Sequence, residues 1–345
     1  MRLEEVCVNG RVLSIQSNGQ RRVAEELISR FPGIKVLQPG NAAASGMAGH
    51  LWEQAVLPIK AFGRPLWSPS TSGPIVHPNH IVTVHDIAFV DGPQWFSKSF
   101  ATLYDVITRN TVKTSRHIVT VSEFTRQRLI EHYRAREDKL TTVYSGKSSR
   151  FFRRGREETA AVLESFDLLD KRYVIAFAGT DPRKNTSAIL EAWKAIQHEF
   201  ADARLVLFGR AANPKVFARM NGDEDVGGIV RVGAVSDDAL ACLFSEAQGF
   251  VFPSIYEGFG LPIIEAAACG CRILASVTSS MPEVSPPDAV LVDPLSLEEI
   301  KNGMKRFLLE EKDELASGER IGFAQRFDWD VAAGQYMQIF EKEFR

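Results

Sequence analysis

The chain has 345 residues, 45% of them hydrophobic and 24% charged, which is the composition of a globular protein with room for two domains and excludes a disordered or fibrous one. Lys+Arg of 41 against Asp+Glu of 43 gives a formal net charge of −2, so the whole chain lacks the basic excess of a nucleic-acid binder. No apolar run reaches the roughly 18 to 20 residues of a membrane span, and neither a signal-peptide pattern nor a disulfide or zinc spacing of Cys7, Cys242, Cys269 and Cys271 is present; the expectation is a cytoplasmic protein with reduced thiols and no metal.

Along the chain, short β-branched runs alternate with helical patterns. Arg21 to Phe31 reads as a helix, Ile81 to Val84 and His117 to Val121 as buried strands, and Ser122 to Tyr133 as a helix. In the second half Tyr173 to Ala178 is a strand, Thr186 to Phe200 a helix, Arg204 to Phe208 and Ile229 to Val232 strands, and Asp237 to Ala247 a helix. Gly249 to Phe252, Pro262 to Ala268, Arg272 to Ala275 and Leu297 to Leu309 continue the alternation, and a last helix from about Val331 to Phe344 has no strand after it. Alternating strands and helices call for parallel sheets covered on both faces, so the fold class is α/β, two Rossmann-like domains facing across a cleft. Turn-rich Ser145 to Ser149 and the charged run Arg150 to Glu158 set the break between Gly146 and Lys171. The expected division is 1–165, 166–327, and a helix over 328–345 that packs back on the first domain.

The most informative stretch is Pro253 to Glu265. It follows an apolar strand, carries Gly258 and Gly260, and sets Pro262 where proline suits a first helical turn. A glycine turn entering a helix presents backbone N–H groups and the positive end of the helix dipole, which together form an anion site. Glu257 in the loop and Glu265 in the helix, eight residues apart, then flank that site; a plain helix-capping turn with two solvent-facing glutamates has the same spacing.

With these residues in view, the chain resembles the retaining glycosyltransferases of family 4, which have the GT-B fold. Asn9-Gly10-Arg11 with Gly19 to Arg22 is similar to that family's first strand and glycine loop, Val84 to Phe89 to its HDL segment, and Thr120 to Phe124 to its TVS segment. Gly179 to Asn185 is similar to its phosphate-binding RKN loop, Phe252 to Glu265 to its E-x7-E signature, and Ser280 to Val284 to its PEV segment. Two departures stand out: the RKN loop is one residue short with Thr180 in place of a first arginine, and Ser285-Pro286-Pro287-Asp288 replaces a glycine-rich turn.

The resemblance implies a hexosyltransferase that needs no metal and no resident cofactor, the nucleotide-sugar being a substrate. It implies that Gly19, Arg183, Lys184, Glu257, Gly258, Phe259, Gly260, Leu261 and Glu265 bind the donor, with Glu265 on the ribose and Glu257 facing the sugar. His85, Lys184 and Glu257 are the implied catalytic groups, and Asp86 and Arg22 are expected on the acceptor side. Arg183 and Lys184 would hold the charge that builds on the departing phosphate. The likeness is nearest to mannosyltransferase-like members, so GDP-mannose is the expected donor, with UDP- and dTDP-sugars as alternatives and a glycan or lipid-linked acceptor in polysaccharide, lipopolysaccharide or glycolipid biosynthesis. A nucleotide-sugar hydrolase or epimerase, or a non-catalytic nucleotide-sugar-binding subunit, is the competing reading. Finally, 22 basic against 15 acidic side chains in residues 1–165 give +7, and 19 against 28 in the remainder give −9. The crowding of Arg109, Lys113, Arg116, Arg126, Arg128, Arg134 and Arg136 adds an expectation of peripheral contact with an anionic membrane at its inner face.

Overall fold

The computed structural model describes residues 3–14, 19–40, 46–179, 181–209 and 227–344. Thr180, singled out above, lies outside these residues. The chain divides into two compact units, one of residues up to Gly146 together with those from Phe327 on, the other Lys147–Arg326. The divide falls at the start of the expected interval, so residues 147–165 belong with the second unit rather than the first. The reason is packing. The helix Arg156–Ser165 lies against the helix Asp237–Glu246, where Thr159 Oγ1 meets Glu246 Oε1 at 3.1 Å and the Arg154 amide donates to Ser245 Oγ at 3.0 Å. Phe327, expected to end the second domain, instead sets its ring edge-on to Tyr144 in the first unit.

Among the described residues the first unit is built on six parallel strands, β1 (Cys7–Asn9), β2 (Lys35–Leu37), β3 (Leu66–Ser68), β4 (His80–Val84), β5 (His117–Thr120) and β6 (Leu140–Thr142), in the order β2-β1-β3-β4-β5-β6. Ile81 pairs with His117 and Val84 with Thr120, and all five residues of β4 are buried, as a strand covered on both faces must be. The helix Trp329–Glu343 completes this unit: Tyr336 and Phe340 pack on Trp67, and the Tyr336 hydroxyl meets Thr83 Oγ1 at 2.9 Å. Arg30 Nε also donates to Asp330 at 2.6 Å. A Cβ at Gly146 would lie 2.3 Å from the Trp329 backbone nitrogen, so only glycine lets this helix close on the unit.

The second unit carries β7 (Arg172–Phe177), β8 (Ala203–Phe208), β9 (Ile229–Gly233), β10 (Gly249–Phe252), β11 (Ile273–Ser276) and β12 (Val290–Val292), parallel and in the order β12-β11-β10-β7-β8-β9. Trp193, Phe307, Met304 and Leu205 lie in its apolar core, and a Cβ at Gly249 would lie 2.1 Å from the Phe307 ring. In both sheets the strand order reverses once, between β1 and β3 in the first and between β7 and β10 in the second. Ligands of open parallel sheets bind at the carboxyl ends of strands beside such a reversal.

Candidate functional site

In the second unit the loops that leave β7 and β10 meet at the reversal. After β7 the chain makes a short turn, Pro182–Lys184, capped by Asp181, whose carboxylate accepts from the Arg183 amide at 3.0 Å. Asn185 follows in the left-handed region at φ 57°, a conformation asparagine tolerates better than most residues, and the helix Thr186–Ile196 begins. Asn185 Nδ2 donates to the Pro253 carbonyl at 3.1 Å and to the Pro294 carbonyl at 2.6 Å, which fastens this loop to the one after β10. The asparagine of the RKN segment is thus a clasp between loops.

The loop after β10 is held from below by hydroxyls. Ser276 Oγ donates to the Ser254 carbonyl at 2.6 Å, Thr278 Oγ1 to the Ile255 carbonyl at 3.0 Å, and Ser280 Oγ lies 2.9 Å from the carbonyls of both Glu257 and Phe259. The Ile255 amide donates to the Arg183 carbonyl at 2.7 Å. Gly260 has φ 109°, and a Cβ there would lie 2.7 Å from Met281 Cε, so both backbone and space require glycine. The helix Leu261–Ala268 then starts with Pro262 in its first turn.

This framework brings Lys184 and Glu257 together. The Lys184 ammonium pairs with Glu257 Oε1, which also accepts from Ser254 Oγ at 2.7 Å, while the Glu257 amide donates to Ser279 Oγ at 3.1 Å. The ammonium stands 5.6 and 5.4 Å from the ring centres of Phe177 and Phe252, so it is flanked by aromatic faces in a partly dry place. Glu265 is buried, 4% exposed, and is therefore no solvent-facing capping glutamate. Arg183 is placed differently from its neighbour. Its Nε lies 3.0 Å from both Asp181 oxygens and its Nη2 donates to Oδ2 at 2.6 Å, so its guanidinium is committed to its own loop. Burial raises the Asp181 carboxyl, but the Arg183 hydrogen bonds and charge outweigh it and hold it below its ordinary value. Pro286 to Ala289 make a turn, closed by the Ala289 amide donating to the Pro286 carbonyl at 3.0 Å, and Asp288 pairs with Arg320 at 2.8 Å.

In the first unit His85 and Asp86 follow β4, at its carboxyl end. The His85 amide donates to Thr71 Oγ1 at 3.0 Å, and its Nε2 lies 3.0 Å from the Pro69 carbonyl. A carbonyl only accepts, so Nε2 carries the proton and Nδ1 keeps the lone pair. Burial lowers the imidazole pKa, with the Pro69 bond and the Asp86 charge acting the other way, so the ring is neutral at neutral pH. Asp86 Oδ1 caps the Ala88 amide at 3.0 Å. Gly19 begins the helix Gly19–Ser29, with the half-buried Arg22 in its first turn, and a Cβ at Gly19 would meet nothing within 4 Å.

One group of residues went unread in the sequence. At the carboxyl ends of β1 and β3, the buried Glu53 accepts from Asn9 Nδ2 at 2.7 Å, Arg11 Nη1 at 3.0 Å and Ser72 Oγ at 3.0 Å, with His50 3.1 Å from Arg11 Nη2. Burial raises the Glu53 carboxyl, yet the His50 contact and Arg11 charge hold it lowered, so it is ionised. Glu53 sits in a π-helical turn, Trp52–Val56, a feature common at functional sites. No sequence motif marks it, because the group is assembled from three separate segments, around residues 9–11, 50–53 and 72; only Asn9-Gly10-Arg11 gave a hint.

Among the described residues no group of His, Cys, Asp and Glu could hold a metal ion, and no helix is long and apolar enough to cross a membrane. Two doubly wound units, each a six-stranded parallel sheet whose strand order reverses once, have the architecture of the GT-B fold. Residues 163–321 match the family model described as glycosyl transferases group 1, and residues 64–147 match that of glycosyltransferase family 4. The chain is a GT-B glycosyltransferase of the family-4 kind. It is 27% identical over 274 residues to O-antigen chain mannosyltransferase B of Escherichia coli, which covers 76% of this chain and 70% of that protein. It is also 27% identical over 201 residues to the serotype-specific mannosyltransferase WbdA of Escherichia coli, of which it spans 24%. The structure of Anabaena Alr3699/HepE in complex with UDP and glucose superposes with a TM-score of 0.77 at 15% identity, over 98% of this chain and 99% of that one, a likeness of fold.

Proposed function

We propose that this protein transfers a hexose, mannose from GDP-mannose, to a glycan or lipid-linked acceptor in the synthesis of a cell-surface polysaccharide or lipopolysaccharide, with retention at the anomeric carbon and without a metal. The observation that carries the reading is the Lys184–Glu257 pair held over the Leu261–Ala268 helix at the reversal of the second sheet. The mannosyl donor is supported by the relatives named above, which are mannosyltransferases.

Breaking the bond between sugar and diphosphate puts positive charge on the sugar ring and negative charge on the leaving phosphate. Lys184 faces that phosphate as a point charge, and the first-turn N–H groups after Gly260 add dipole, which together do the work a divalent ion does elsewhere. As the diphosphate takes over Lys184, Glu257 turns to the sugar hydroxyls, kept in place by Ser254 and Ser279. Glu265 receives the ribose hydroxyls. Arg183 reaches the diphosphate only by sharing its guanidinium with Asp181. His85 offers its Nδ1 lone pair to a sugar hydroxyl, and Asp86 and Arg22 lie on the acceptor side. With no carboxylate assigned as base, the departing phosphate oxygen takes the acceptor proton on the same face, which gives retention.

The test is nucleotide release from GDP-mannose, UDP-glucose and dTDP-sugars, with and without a sugar acceptor, in EDTA. Acceptor-dependent release with an α-linked product from an α-linked donor supports the reading. Release that ignores the acceptor would make the protein a hydrolase, a β-linked product would overturn retention, and loss of activity in EDTA restored by Mg²⁺ would overturn metal independence.

A further inference from the structure

The loop that leaves β3 is unusual in being buried. Loops ordinarily run over a surface, where water satisfies their backbone. Here residues 68–74 are all buried, so their polar groups must be bonded within the protein. Two sets of residues do this. One is His85, whose Nε2 donates to the Pro69 carbonyl at 3.0 Å and whose amide donates to Thr71 Oγ1 at 3.0 Å. The other is the π turn Trp52–Val56. Ser72 Oγ donates to Glu53 Oε1 at 3.0 Å, Gln54 Nε2 donates to the Gly73 carbonyl at 2.9 Å, and the Ile75 amide donates to Gln54 Oε1 at 2.9 Å.

Consecutive side chains of an ordinary helix point about 100° apart, yet Glu53 and Gln54 serve one loop, and the wider π turn is the local change that accompanies this. Trp52 anchors the turn in the core beside Cys7 and Leu66. Glu53 uses both of its oxygens: Oε1 accepts from Ser72 and from Asn9 Nδ2 at 2.7 Å, and Oε2 from Arg11 Nη1 at 3.0 Å. The Ser72 hydroxyl is used twice as well, donating to Glu53 and accepting from Arg11 Nη1 at 3.2 Å. An apolar filling often serves a core as well as a buried ion pair does. What it could not do is fix a buried polar loop, for which a charge-assisted bond is the stronger grip.

We propose that Glu53 is a positioning residue for His85, acting through Ser72 and the loop 69–72. The His85 backbone is held at both ends, its amide by Thr71 and its carbonyl by Thr125 Oγ1 at 3.1 Å. Its ring has the Pro69 carbonyl as its one hydrogen-bond partner among the described residues. Where that carbonyl stands therefore decides which way the ring faces and which nitrogen keeps the proton. With the loop fixed, Nδ1 is the bare nitrogen and is presented as an acceptor. With the loop loose, the proton is free to move to Nδ1 and the ring to turn, and a misplacement of about 1 Å at a reacting group can cost about a hundredfold in rate. Glu53 need touch no substrate, since its effect passes through His85.

The inference rests on the reading of His85 as a group facing the donor sugar. Its first test needs no donor or acceptor: nitrogen NMR spectra of the full chain labelled at its histidines, in which His85→Gln identifies the His85 signals. The wild type should show one protonated and one bare ring nitrogen at His85. In Glu53→Gln and in Ser72→Ala the two shifts should move toward each other as both tautomers are populated, while His117, bonded to Thr141 at 2.9 Å, keeps its signals. Ser72→Ala leaves the Arg11–Glu53 pair whole, so the test survives a Glu53→Gln chain that does not fold. In the transfer assay each of these two variants should lose about tenfold or more in kcat with GDP affinity within about twofold of wild type, and the loss should shrink to less than about twofold when His85 is already glutamine. Unchanged His85 signals, a full loss that persists in the His85→Gln background, normal transfer by His85→Gln, or shifts at every histidine of the first unit would overturn the proposal. A wild type that transfers no sugar would instead overturn the function above and leave the nitrogen signals to decide this one.

Discussion

Replacing Lys184 by methionine keeps the stem that fills the space between Phe177 and Phe252 and removes only the charge. The Lys184 side chain is 20% exposed and Glu257 14%, so the pair is neither fully wet nor fully dry. After the change the Glu257 carboxylate still accepts from Ser254 Oγ at 2.7 Å and is not stranded. Fold stability should therefore fall by about 1 kcal/mol, a shift of about 2 to 4 °C in melting temperature. Transfer should fall far more, because a charge aimed at a developing oxyanion is worth about 2.7 to 4 kcal/mol, roughly a hundred- to a thousandfold in rate. Arg183→Met is the informative comparison. Its guanidinium is already bound to Asp181, so the loss should be about tenfold, since only a shared interaction disappears. Steady-state nucleotide release with acceptor present, beside thermal melts of each variant, measures both quantities. If Lys184→Met keeps more than about a tenth of the wild-type rate, or Arg183→Met is the worse of the two, the assignment of the diphosphate to Lys184 is wrong.

Three further outcomes are expected. Glu265→Gln, a change of charge with little change of volume at a buried position, should weaken GDP binding about tenfold or more in calorimetry while the melting temperature moves by only a few degrees. Burial, with the His77 charge adding to it, pushes His80 down to about 3, while an unfolded chain titrates it near 6.5. A depressed histidine protonates first in the unfolded state, so stability should be full above pH 6.5 and fall as pH drops toward 3, by as much as about 4 kcal/mol. Denaturant midpoints at several pH values should show a shallower slope in His80→Gln. Finally, Gly146→Ala should destabilise the first unit by several kcal/mol, since the clash is with Trp329 backbone rather than a flexible side chain, and a calorimetric scan should show the affected transition lowered.

The second unit was far more legible in the sequence than the first. Apart from the three-residue β12, its strands are four to six residues long and mostly apolar or β-branched, as in Tyr173 to Phe177, and periodicity finds those. In the first unit β1, β2, β3 and β6 are three residues each, too short to show any period. The helix Lys98–Thr114 escaped for another reason: its threonines, valines and isoleucine favour strands locally, and burial of one face, with Ala101 and Val112 packed against Val82, Val84 and Ile118, sustains it as a helix. At the site, Lys184 and Glu257 stood out because each lies in a local pattern. The commitment of Arg183 to Asp181 was not visible, since the same letters serve a free arginine or a paired one. The Glu53 group was invisible because it is assembled from residues up to 63 positions apart, from Asn9 to Ser72.

The first unit leaves off at Gly146 and resumes at Phe327, with the whole second unit lodged in the gap. On the ribosome this order has a cost. Residues 147–326 are complete and free to fold as soon as they emerge, whereas Trp67 and Phe31 must wait for Tyr336 and Phe340, roughly 270 to 310 residues later, before their rings are covered. At the roughly 5 to 20 residues per second of synthesis, the older half of the chain spends on the order of ten seconds or more with an open core, which makes it the part most dependent on chaperones and most sensitive to a premature stop. A chain cut short within its last helix would keep every residue assigned to the donor and still lose the unit that was made first.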